Sequence, residues 1–182
     1  MKLLRKLLSY SRCRSKGQGI LELALIFPFL FIFLYAISEF SVLLVQNQRV
    51  TALSREAAGA IFYQCAGLED SKLSTCVQGI ANQVAAQGGA ILPDFASRGH
   101  IIISVFEPDS SGSSVQLTNI QELGSGAGST SYGSGSFDSS FVKENGIIVV
   151  GEVFYKYETI TPLQKLLKSL QLPQNMYEAT VF

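Results

Sequence analysis

The longest apolar stretch of the chain runs from Ile20 to Val45 and reads ILELALIFPFLFIFLYAISEFSVLLV. As a helix its 26 residues would extend ~39 Å. The hydrocarbon core of a bilayer is about 30 Å thick, so the stretch is long enough to span with some tilt. A helix that covers a soluble core is apolar on one face, whereas this one is apolar all round. A cleavable secretory signal is the competing reading. It calls for a shorter apolar segment and a small-x-small cleavage site, and no clear site of that type follows Val45. The expectation is a basic leader over 1–17, one transmembrane helix over 18–45 and an exported domain over 46–182.

The flanks orient the span. Lys2, Arg5, Lys6, Arg12, Arg14 and Lys16 crowd the start, and no acidic residue precedes Glu22. Beyond Gly17 the chain holds eight basic and fourteen acidic residues, a formal charge of −6. The positive-inside bias keeps the leader in the cytoplasm and sends the rest outward, into the periplasm of a bacterium. An acidic exported body gives no footing for nucleic acid. Three residues interrupt the span. Pro28 removes a helical hydrogen bond and is expected to kink the helix. Glu39 falls near the outer interface. Glu22 lies near the inner edge, where a carboxylate either finds a partner or stays at the interface, protonated or snorkelling.

Gly17-Gln18-Gly19-Ile20-Leu21-Glu22 follows the basic leader directly. A leader ending in glycine, then an apolar helix with glutamate at its fifth position, resembles the processing site of type IV pilin-like proteins. Glu22-Leu23-Ala24-Leu25-Ile26-Phe27-Pro28, Ser38-Glu39-Phe40-Ser41, and Val153–Tyr157 followed by Thr159–Leu163 resemble the TadE/TadF-type pseudopilins of tight-adherence (Flp-type) pilus systems. The resemblance covers roughly 16–60 and 147–182, and Leu23 stands where Tad-type prepilins usually carry an aromatic residue. It implies cleavage by a prepilin peptidase between Gly17 and Gln18. The freed amine would lie one turn from Glu22, and that carboxylate could pair with the amine of a neighbouring subunit and set its axial register. The implied partners are the peptidase, other pilins or pseudopilins, inner-membrane assembly proteins and the bilayer. The implied place is the inner membrane, crossed once, with entry into the pilus as a further step.

The exported part reads as α+β, pilin-like, with the long helix packed on a small antiparallel sheet. The helix is expected to continue to Gln64, because Val50, Leu53, Ala57, Ala60 and Ile61 recur at helical steps. A second helix is expected over 71–87. Strands are expected over 100–106, 114–120 (weaker), 146–157 and 177–182. Pro162 opens a short amphipathic helix carrying Leu163, Leu166, Leu167 and Leu170. Cys65 and Cys76 fall in an oxidising compartment and form either a disulfide or two free buried thiols. Cys13 stays reduced in the leader.

A Gly/Ser-rich stretch, about 108–142, reads as a flexible surface loop without a phosphate-binding fingerprint. The single histidine, His100, is expected at the surface or at a strand edge. With no metal-ligand spacing and no nucleophile elbow, neither an enzyme nor a cofactor or metal site is expected. Two functions remain: a minor pilin or pseudopilin supporting pilus biogenesis and adhesion, or an uncleaved single-pass scaffold recruiting the same machinery. An anchored periplasmic enzyme is a third class, and it requires a pocket the sequence does not advertise.

Overall fold

Between Lys2 and Cys65 only Pro28 disfavours a helix strongly, and the chain is helical throughout that range: α1 is one element of 64 residues. The structure, a computed structural model, describes residues 2–109, 114–141, 146–159 and 175–182. Its contacts divide into two units, with α1 entering the second at Leu43. The Pro162 helix expected above lies outside the described residues.

The second unit is α+β. After α1 come α2 (Asp70–Ile91), α3 (Phe95–Arg98), β1 (Gly99–Pro108), β2 (Val115–Gly124), a 3-10 turn (Ser139–Phe141), β3 (Ile148–Lys156) and β4 (Asn175–Val181). The four strands form one sheet in the order β2-β1-β3-β4. Every neighbouring pair is antiparallel. A disulfide joins Cys65 at the end of α1 to Cys76 in α2, with Cα atoms 5.9 Å apart. Closing so short a loop contributes about 2–3 kcal/mol, chiefly by restricting the unfolded chain.

α2 runs four residues past its expected end. Gly88 and Gly89 would ordinarily stop a helix. Here Gly88 serves close packing instead, because a methyl group at that position would lie 2.9 Å from the Phe95 ring and 3.1 Å from Leu53. Beyond it, Arg49 of α1 donates to the Ile91 carbonyl at 2.7 Å, satisfying one of the open acceptors at the C-terminus of α2.

The periodicity of α1 fixes which face meets the sheet. Val50, Leu53, Ala57, Ala58, Ile61 and Cys65 are wholly buried, and Ala60 is half-buried. The contact is close at one point. Gly151 on β3 has no side chain, and a methyl there would sit 2.8 Å from the Ser54 carbonyl oxygen and 3.2 Å from Ala58. In the space so left, the Ser54 hydroxyl lies 2.9 Å from the Gly151 carbonyl oxygen and 2.7 Å from the Thr180 hydroxyl on β4. One helix residue thereby tethers two strands.

β1 and β3 are buried on both faces, as their nearly continuous apolar sequences require. The helices cover the face carrying Ile101, Ile103, Val105 and Gly151. The opposite face carries His100, Ser104, Phe106, Val150, Glu152 and Phe154, and what covers it was not foreseen from the sequence.

Replacing Gly151 by alanine should push α1 from the sheet and destabilise the domain by about 1–3 kcal/mol. Urea unfolding of the full chain in mild detergent measures this directly, and an unchanged midpoint would show that the seat has slack.

Candidate functional site

The apolar half of α1 dominates the surface. From Ile20 to Leu34 every Leu, Ile and Phe is exposed. Covering one such side chain is worth ~1.5–3 kcal/mol. Over this run the total reaches tens of kcal/mol, more than the ~5–15 kcal/mol that holds a whole domain folded. Water is therefore the wrong solvent for this surface. By length and composition this helix can cross a membrane, and none of its most apolar window is buried within the protein.

The polar residues of the segment are placed as follows. Gly17 lies within the unbroken helix with nothing packed beside it, so entry into an extended protease cleft requires local unwinding there. Gln18 donates its side-chain amide to the Glu22 carboxylate at 3.2 Å, one turn along the same exposed face. Pro28 is accommodated inside the helix. Its missing N–H leaves the Ala24 carbonyl without the usual helical donor. Glu39 is buried, only 4% exposed.

Residues 17–59 match the TadE-like protein family. The match covers the apolar helix and its continuation onto the sheet. It stops before Cys65, and the C-terminal stretch 147–182 lies outside it. No curated protein and no solved structure matches the chain.

Beyond the TadE-like segment, the structure corrects two expectations. His100 is neither at the surface nor on an edge. It lies on β1, an inner strand, 8% exposed, with the Phe154 ring edge-on to it and the Glu122 carboxylate 3.8 Å from Nε2. The described part of the Gly/Ser-rich stretch is not a free loop. The edge strand β2 lies where the weaker strand was expected, and residues 125–137 cross the outer face of the sheet as a strap. Tyr132 and Phe137 stack at 5.7 Å and pack on Phe106, Val115, Ile148 and Val150.

The strap is pinned at Glu152, which is fully buried on β3. Its carboxylate accepts hydrogen bonds from the Thr130 hydroxyl, from the Ser131 N–H at 3.1 Å and from the Tyr177 hydroxyl at 2.8 Å. A buried carboxylate needs such donors, since leaving it unsatisfied would cost several kcal/mol. The sequence held the signal: one glutamate inside the apolar run Ile147–Tyr155 demands partners from elsewhere, and Tyr132 and Phe137 are the only large apolar groups in residues 125–137.

These polar groups do not assemble into a reactive site. Ser104 and His100 share a strand face four residues apart, ~13 Å along the strand, beyond the reach of a nucleophile and its base. Among the described residues no three His, Cys, Asp or Glu side chains gather to hold a metal. A cavity of ≈ 670 Å³ runs between Arg98, Gly126, Phe154, Lys156 and Tyr177. Arg98 there is already engaged by Glu158 at 2.6 Å and Asp94 at 3.3 Å.

Loss of hydration at the Tyr177 hydroxyl, then its bond to Glu152, pushes that phenol up from 10.0 to about 12. The ring keeps an exposed face, so the cause is local to the hydroxyl. The folded state thus holds this proton more tightly than the unfolded chain. The resulting stability is intact below pH 10 and is lost as pH rises towards 12. Near-ultraviolet titration should show Tyr177 ionising about two units late, and Tyr177→Phe should abolish that step. A titration in which Tyr177→Phe removes an ordinary tyrosine near 10 would contradict the hydrogen bond.

Proposed function

We propose that this chain is a minor pilin or pseudopilin of a tight-adherence (Flp-type) pilus system, a structural rather than enzymatic component. The observation that carries this reading is that the TadE-like match, residues 17–59, contains the exposed apolar run Ile20–Leu34. In this reading residues 18–45 lie in the inner membrane. The basic leader is cytoplasmic and the strapped α+β domain is periplasmic, where the disulfide is stable. A prepilin peptidase cuts after Gly17. The new amine at Gln18 replaces the side-chain amide as a donor near Glu22, and the carboxylate of one subunit meets the amine of the next. Other pilins and inner-membrane assembly proteins are the partners of the apolar helix, and adhesion follows from pilus biogenesis.

The second reading is an uncleaved scaffold of the same machinery, with leader and Cys13 retained. The helical backbone at Gly17 and the presence of Leu23 after the glutamate favour it.

Intact-mass spectrometry of the membrane-extracted chain, with and without the prepilin peptidase, separates the two. The pilin reading expects loss of residues 1–17 only when the peptidase is present. Full-length mass in both samples would overturn it and leave the scaffold.

A further inference from the structure

The outer face of the sheet is closed differently from the inner one. On the inner face two helices, α1 and α2, bring continuous hydrogen-bonded backbone and a dense row of buried aliphatic side chains. On the outer face the cover is Ser125–Phe137, without helix or strand, and it includes Gly126, Gly128, Gly133 and Gly135. Such a segment loses more conformational freedom on ordering than any other composition. Its attachments are few and local. Tyr132 and Phe137 supply the apolar contact. The Gly126 N–H donates to the Gly99 carbonyl at 3.0 Å, and the Gly135 N–H to the Val115 carbonyl at 3.3 Å. Gly128 lies against the Phe154 ring. The Ser125 hydroxyl donates to the Ala96 carbonyl at the start of the strap. Between these end points Thr130 and Ser131 both bond Glu152, and the Ser134 hydroxyl accepts from the Leu117 N–H on β2 at 3.3 Å.

We propose that this strap is a hinged cover over the outer sheet face, latched by the buried carboxylate of Glu152 and able to open while the helix-packed face stays closed. Opening needs no strand to separate, because the strap contributes nothing to the β1–β3 ladder. It uncovers Phe106, Val150 and Phe154, together with Ser104 and His100, whose Oγ and both ring nitrogens have no hydrogen-bond partner beneath the cover. Regions held by few buried contacts open locally, well below the free energy of global unfolding. The charge-assisted bonds to Glu152 are the strongest of the strap's polar ties, so they set how often it opens. Opening would present a fresh apolar surface from the same domain without unfolding it.

Cysteine trapping in the full chain, in detergent and with Cys13→Ser to remove the leader thiol, tests this while the Cys65–Cys76 disulfide is kept. Ser104→Cys places a near-isosteric thiol beneath the strap. Ala58→Cys places one beneath the helix face. Each modification rate by a small thiol reagent is normalised to the same cysteine in the denatured chain. Ser104→Cys should react at least about tenfold faster than Ala58→Cys, as local opening outpaces global. Glu152→Gln keeps an acceptor but removes the charge, and should raise the Ser104→Cys rate about tenfold further while leaving Ala58→Cys unchanged. Should Glu152→Gln fail to fold, Thr130→Val removes one donor only, and a rise confined to the Ser104→Cys probe supports the latch equally. Equal rates at the two probes, parallel rises at both, no reaction at Ser104→Cys, or a rate insensitive to both substitutions would each overturn the proposal.

Discussion

The close seat of α1 at Gly151 sets the spacing on which the domain is built. Because β3 offers no side chain there, the helix backbone approaches until Ser54 bonds both the Gly151 carbonyl and Thr180. That approach determines which α1 residues become core, and Val50, Leu53, Ala57 and Ile61 follow at helical spacing. α2 then closes the same face, drawn in by the disulfide at one end and by Arg49 on its last carbonyl at the other. With β1 and β3 inner strands of a four-stranded sheet, their second faces also need cover, and the Gly/Ser strap supplies it.

Much of this was legible in the residues. The apolar run, the continuation of the helix with its buried face, and the two β-branched strands all rest on periodicity, which the structure preserves. Cys65 and Cys76 left two chemical outcomes open, and the structure joins them. The strap was misread for a physical reason. Gly/Ser composition describes how readily a segment bends, not whether something holds it, and its holders are distant in sequence: Glu152 and Tyr177 on β3 and β4. His100 was misplaced by the same route. A polar residue opening an apolar strand suggests an exposed end, but β2 and β3 flank that end on both sides and the Phe154 ring lies against the imidazole. Glu152 was the available warning, since a carboxylate amid Val149, Val150, Val153 and Phe154 is tolerable only with donors waiting.

The functional signal is unevenly spread. The TadE-like match ends at Gly59, so it concerns the helix and its first turns on the sheet. The sheet, strap and disulfide are features of this chain read from its own residues. In the proposed role the divided signal has a simple meaning. An apolar helix must satisfy lipid and neighbouring apolar helices, which narrows what it can be. The domain beyond it must only present a surface, which leaves it free to be built in this particular way.

The proposed role depends above all on residues 18–45 crossing a bilayer with the domain on the far side. Protease added outside spheroplasts that lack the prepilin peptidase, so that residues 1–17 are kept, tests this most directly, on a chain carrying one epitope ahead of Lys2 and another after Phe182. In that role the C-terminal epitope is destroyed while the N-terminal epitope stays protected until the membrane is lysed. Protection of both epitopes, or loss of the N-terminal one alone, would contradict it.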